Sequence, residues 1–327
     1  MIVSRTPMRI SFVGGGTDLS NFYSLYGGAV ISMAINKYFY LSMHKSFKGS
    51  GCLIKYSKVE KVTDIQEIQH PIIRQVFTDW SIRNVDFSSA ADIPSGTGLG
   101  SSSAFTCGLV SLCSAFTGKY FSPARIAEEA CQVEIEKLGE PIGKQDQYGC
   151  AFGGLKMIEF FPDESVVVTQ IFLKPSERLK LENNLFLIYM GGSRSASEML
   201  IQQTANINKS ERLVDNLKYM ANQARELRFA ITENVDVLGE YLHNGWLRKK
   251  ELSASISNEM IDSIYETARN AGATGGKLLG AGGAGFLLVY VPEKDHANFQ
   301  SALSGYYIQK VKIDQAGSVI VYDDNNH

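Results

Sequence analysis

Pro94-Ser95-Gly96-Thr97-Gly98-Leu99-Gly100-Ser101-Ser102-Ser103 is the stretch whose reading decides the fold. Its alternating glycines let successive backbone N–H groups turn toward one point. A small-residue apolar helix follows from Ala104 to Phe116, which sets the serines at its start. The first N–H groups of a helix lack intrahelical partners, and that end of its dipole is positive. Loop and helix start together suit a polyphosphate. Three adjacent hydroxyls add hydrogen bonds and a magnesium ligand. The loop is no Walker A motif, because no lysine precedes the helix-opening serines.

Outward from this loop the chain alternates strands and helices. Met8 to Val13 reads as a strand ending in Gly14, Gly15 and Gly16, and Ala29 to His44 suggests further strands. Ser122-Pro123 opens a helix as N-cap and first-turn proline, and Gly139 ends it. On that helix Ala127, Ala130, Cys131, Glu134 and Leu138 share one face, apolar except for the glutamate. Glu134 therefore points inward, and a buried charge needs a cation or donors. A magnesium ion shared with Ser102 or a salt bridge to a lysine would each answer that need. Glu136, about 200° around the helix, is expected in solvent. Asp146, between glutamines in Gly143-Lys144-Gln145-Asp146-Gln147-Tyr148-Gly149, is a candidate base or an ordinary turn aspartate.

Val166 to Leu173 and Leu185 to Tyr189 read as strands, and Ser195 to Ala271 as mostly helical. Phe286 to Val291 is a strand, with one or two more between Gly305 and Val321. The polar stretch Lys174 to Asn184 marks the expected boundary, giving lobes 1–178 and 179–327. The fold class is α+β. Gly280-Ala281-Gly282-Gly283-Ala284-Gly285 matches G-x-G-x-x-G letter for letter. A dinucleotide site needs a strand before it and a helix after it, and here that order is reversed. Glycines at this point instead let a loop approach another lobe or a ligand.

The 327 residues carry 32 Lys+Arg and 34 Asp+Glu, a formal charge of −2. Such a chain has no long-range field for nucleic acid or an anionic membrane. Ala284 to Val291, the longest clean apolar run, is far short of the ~20 residues of a membrane span. No secretory signal pattern opens the chain, so a cytoplasmic protein is expected. Five scattered cysteines argue against a disulfide framework.

Three segments together resemble the motifs of the GHMP kinases, the galactokinase, homoserine kinase, mevalonate kinase and phosphomevalonate kinase group. They are Arg9 to Asp18 (RISFVGGGTD), Pro94 to Ala104 (PSGTGLGSSSA) and Lys277 to Gly285 (KLLGAGGAG). The first of them and Gly-Lys-Gln-Asp-Gln-Tyr look most like the bacterial heptose 7-phosphate kinases. The resemblance implies two lobes, the first like ribosomal protein S5 domain 2 and the second ferredoxin-like. It implies phosphoryl transfer from ATP, with Mg2+, to the anomeric hydroxyl of a heptose 7-phosphate, toward nucleotide-activated heptose and surface glycans. A homodimer is a further expectation.

Position by position, Pro94, Gly96, Gly98, Leu99, Gly100, Ser101, Ser102 and Ser103 would bind ATP, and Ser102 and Glu134 would hold magnesium. Asp146 and Arg9 match the catalytic pair. Gly15, Gly16, Thr17, Asp18, Lys144, Gln147, Gly282 and Gly283 would contact the acceptor. Galactokinases carry Glu-His where this chain has Gly15-Gly16, which leaves room for a larger or phosphorylated sugar. Arg194, in Gly191-Gly192-Ser193-Arg194-Ser195, is either a phosphate clamp or a surface arginine. The rival acceptors are L-fucose, galactose or a mevalonate-type alcohol. A non-catalytic ligand sensor would bind the same ligands and release no ADP.

Overall fold

Two long strands near the N-terminus form the spine of the first sheet. β1 (Ile2–Val13) pairs antiparallel with β2 (Gly28–Lys45), and the short helix α1 (Ser20–Tyr26) lies in their connection. The computed structural model describes residues 1–47, 49–192, 210–253 and 255–324. β2 is long enough to serve two neighbours. Residues 39–45 pair with β5 (Val85–Ala91), and residues 28–33 pair with β6 (Leu155–Phe160). β3 (Cys52–Lys55) and β4 (Val59–Val62) extend the sheet beyond β5, and β7 (Val166–Gln170) extends it beyond β6. Between β4 and β5 lies α2 (Pro71–Asp79), which begins at a proline.

α3 (Ser101–Phe116) crosses β1 and β2 and is buried along nearly its whole length. Gly108 lets it come close: a Cβ there would stand 2.9 Å from the Thr6 hydroxyl. α4 (Pro123–Cys131) starts as the sequence indicates, its Ser122 hydroxyl accepting from the Arg125 N–H. It passes into a six-residue π-helical turn, Gln132–Lys137, which departs from the regular helix expected to Leu138. α5 (Gln145–Ala151) then carries Asp146 in its first turn, a helical rather than a loop position.

The expected linker is instead α6 (Pro175–Asn184), whose Leu181 is fully buried. Its proline starts a helix, and one apolar residue in a polar stretch is enough to dock it. β8 (Leu185–Tyr189) opens the second, antiparallel sheet, ordered β11-β8-β10-β9. Its other strands are β9 (Gly275–Leu278), β10 (Phe286–Tyr290) and β11 (Ile308–Lys310). Among the described residues its α-helices are α7 (Glu211–Glu233), α8 (Leu238–Lys250), α9 (Glu259–Asn270) and α10 (His296–Ala302).

β12 (Val319–Asp323) leaves this sheet and pairs with β1 at the edge of the first. The two sheets therefore do not divide cleanly at residue 178. One apolar cluster runs through both, joining Met8, Ile10 and Phe12 of β1 to Leu185 and Leu187 of β8 and Leu242 of α8. No described helix is long and apolar enough to cross a membrane.

Candidate active site

A cleft of about 320 Å³ opens where the loop before α3 meets the glycine loop before β10. The loops touch through their backbones. A Cβ on Gly98 (φ +83°) would stand 2.5 Å from the Leu279 carbonyl oxygen, and one on Gly280 (φ +72°) would stand 2.6 Å from Gly98 Cα. Gly100, in the left-handed conformation, turns the chain into α3 with no side-chain cap. The first N–H groups of α3 thus remain available at the cleft.

Beneath the loop lies Arg9. The β1 pleat sends Arg9 and Ser11 to one face and Met8, Ile10 and Phe12 to the other. Arg9 is 3% exposed. Its Nε and Nη2 donate to the two Asp146 carboxylate oxygens at 2.8 and 2.7 Å, and Nη1 donates to the Gly98 carbonyl at 2.8 Å. Burial opposes the guanidinium charge, but Asp146 more than offsets this and holds its pKa above the usual arginine value. One side chain thereby fixes both the phosphate loop and the candidate base. A bidentate fork is specific in geometry as well as strong.

Glu134 is 1% exposed and sits in the π-helical turn, a rare element that recurs at functional sites. Four neutral donors reach its carboxylate: the hydroxyls of Ser102, Ser103 and Thr106 at 2.9, 2.7 and 3.0 Å, and Gln147 Nε2 at 2.6 Å. No lysine pairs with it among the described residues, so the salt-bridge alternative fails. Burial raises its pKa, against the four hydrogen bonds. Glu136 is exposed, as the face argument requires.

Asp18 accepts from the Gly16 N–H at 2.9 Å, the Gln145 N–H at 3.2 Å and Gln145 Nε2 at 3.0 Å. Gly143 makes room for it, since a Cβ there would lie 2.0 Å from its Oδ2. Burial, and then the charge of Asp146, raise its pKa to about 6. Its pKa is higher folded than unfolded, so ionised Asp18 costs the fold on the order of 3 kcal/mol above pH 6. That cost is relieved as pH falls toward 4.

The cleft brings together Arg9, Asp146, Asp18, Gly15, Gly16, Gly96, Gly98, Gly100, the three serines, Glu134 and Gly282. Other expected contacts lie elsewhere. Pro94 and Leu99 are not on its wall; the carbonyl of buried Leu99 instead accepts from the Arg9 N–H. Thr17 is buried and its hydroxyl bonds the Ala29 backbone, because it ties the glycine turn to β2. Lys144 turns away to Glu164 at 2.5 Å, where a carboxylate compensates its charge. Gln147 is fully buried behind Glu134, and Gly283 lies outside the wall with its N–H bonded to the Ile256 carbonyl. Arg194 lies outside the described residues.

Sequence reasoning missed two buried lysines, Lys249 at the cleft wall and Lys277 beside Ser11. The α8 pattern could have revealed the first. Leu238, Leu242, Gly245 and Lys249 recur at the spacing of one helical face.

The GHMP kinases N terminal domain matches residues 67–154 and the GHMP kinases C terminal domain matches residues 225–309, together more than half of the chain. The chain belongs to the GHMP kinases. It is 28% identical over 316 residues to the D-glycero-alpha-D-manno-heptose 7-phosphate kinase of Campylobacter jejuni, covering 92% of this chain and 93% of that one. A solved putative sugar kinase from C. jejuni is 26% identical, with a TM-score of 0.75 and 98% of each chain covered. A D-glycero-D-manno-heptose 1-phosphate kinase from Bacteroides thetaiotaomicron shares the fold at a TM-score of 0.78 and 22% identity, covering 99% of this chain and 100% of that one. As a GHMP kinase the chain is a phosphotransferase that passes a phosphoryl group to an alcohol. ATP is the donor in this family.

Proposed function

We propose that this kinase transfers the ATP γ-phosphoryl group to the anomeric hydroxyl of D-glycero-D-manno-heptose 7-phosphate, giving the 1,7-bisphosphate. The observation that carries the reading is the Arg9 fork on Asp146, joined to the phosphate loop at Gly98 and facing Asp18 across one cleft. Asp146 accepts the hydrogen bond of the attacking hydroxyl and then its proton. Arg9 holds that carboxylate still. Asp18, anchored by Gln145, accepts from sugar hydroxyls. The loop N–H groups and the α3 N-terminus receive the phosphates, since positioning and charge neutralisation carry most of phosphoryl transfer.

Magnesium fits the corner at Ser102 and Glu134, where a buried carboxylate has only neutral donors and a hydroxyl stands at the cleft wall. Held by Ser102 and Glu134, the ion would supply neutralisation of the phosphate charge. Glu134→Gln is expected to raise the magnesium concentration needed for half-maximal rate; an unchanged titration would reject the ligand role.

Gly15 bears on the acceptor. A Cβ there would meet its nearest protein atom, Ser11 Oγ, at 3.6 Å, and its φ is not left-handed. Neither packing nor backbone demands glycine, so the open space serves the ligand. Gly15→Leu should fold normally and raise the KM for the acceptor by at least ~10-fold, the low end for one misplaced methylene. An unchanged acceptor KM would contradict this.

Asp18 sets a pH limit. It must be ionised to accept all its donors, so kcat/KM for the acceptor should fall as pH drops through about 6. An acid limb below pH 5 would exclude this assignment. ADP release measured against a panel of sugars and sugar phosphates tests the acceptor directly. Preferred turnover of L-fucose, galactose or mevalonate would replace the heptose reading.

A further inference from the structure

Lys249 has no part in the mechanism above, yet it forms cleft wall beside Asp18, Gly280 and Gly282. It comes from the last turn of α8 and is 6% exposed. Its Nζ donates to the Gly280 carbonyl at 2.5 Å, and it forms no ion pair among the described residues. An ammonium has three donors, so two remain for a ligand. A buried cation without a bonded carboxylate is costly. Burial, then repulsion from Arg9, bring its pKa down to about 8. Lys277 stands behind, its Nζ 3.4 Å from Ser11 Oγ, and burial, then the charge of Lys249, hold its pKa well below the usual lysine value.

Lys249 feels the charges of Arg9 and Asp146, which stand at the reacting hydroxyl, and of Asp18, which faces the acceptor. The Arg9 charge is already matched by Asp146. Lys249 is therefore a cleft cation with no bonded carboxylate among the described residues, open to an anionic group of a ligand. The transferring group is already faced by the loop N–H groups and the start of α3. The acceptor's own phosphate has no other described cation assigned to it.

We propose that Lys249 binds the phosphate the acceptor already carries, and so selects sugar phosphates over free sugars. This rests on the sugar-phosphate reading of the acceptor. The test measures kcat/KM for heptose 7-phosphate and for the free heptose. The wild-type values alone decide the acceptor reading, before any variant is made. Lys249→Gln keeps a donor for the Gly280 carbonyl and removes the charge. It should lower the phosphate-to-free-sugar preference ~10- to 10²-fold, the scale of hydrogen bonds to a charged group. The loss should fall in the KM for the sugar phosphate, and Lys249→Arg should recover most of it.

An unchanged preference would overturn the proposal. So would an equal fall in kcat on both acceptors, which would make Lys249 a partner of the transferring group. Inorganic phosphate gives a measurement on the wild-type enzyme that depends on no variant. At saturating ATP it should compete with the sugar phosphate and not with the free sugar. Failure to compete with the sugar phosphate would likewise overturn the assignment.

Discussion

Asp146→Asn should lower kcat at least ~10²-fold, the low end for losing a group that accepts the reacting proton. The change is nearly isosteric, but it acts twice. The reacting hydroxyl loses its acceptor, and Arg9 loses its charged partner. The amide nitrogen would also face a guanidinium that has only donors. Arg9 is buried, so its unpaired charge should lower the melting temperature as well. Steady-state turnover with saturating ATP and acceptor measures the first effect, and a thermal melt the second. Near-normal turnover would remove Asp146 from the mechanism. A fall in stability without a fall in kcat would leave it a purely structural partner of Arg9.

Gly98→Ala is expected to lose a comparable ~10² in kcat, for a different reason. At φ +83° an added Cβ costs ~1–2 kcal/mol in backbone strain. It would also meet the Leu279 carbonyl oxygen at 2.5 Å, a backbone atom that cannot rotate aside. The two loops must then separate, carrying the Gly98 carbonyl off Arg9. A misplacement of ~1 Å in a transfer geometry can cost 10²-fold. Gly118→Ala is the control: its φ is +74°, yet nothing lies within 4 Å of the added Cβ. It should lose stability and keep its turnover. If both variants retain turnover, the loops are free to part and the backbone contact does not position the site.

How far the sequence reaches is seen in Glu134 and Lys249. Glu134 was legible as an inward charge because a helix face is a local property. Which groups surround it was not: Ser102, Ser103 and Thr106 lie on α3 and Gln147 on α5. Lys249 follows the same face rule, but it sits in the run Arg248-Lys249-Lys250, which reads as a solvated helix end. Lys144 shows the opposite case. It shares a motif with Asp146, yet two positions along the chain its side chain turns to Glu164.

Local chemistry in the sequence determined the glycine loops, the start of the phosphate-facing helix, the α+β class and the carboxylates worth watching. These follow from spacings of a few residues, where backbone sterics and helical period act. The tertiary structure alone decided the pairings across distance. Arg9 meets Asp146 across 137 positions, Lys277 meets Ser11 across 266, and β12 returns to β1. Such contacts leave no periodic trace, because each depends on how sheets and helices stack rather than on neighbours in the chain. Gly98 and Gly280 lie between these cases: their composition announced a close approach, and the fold named the partner.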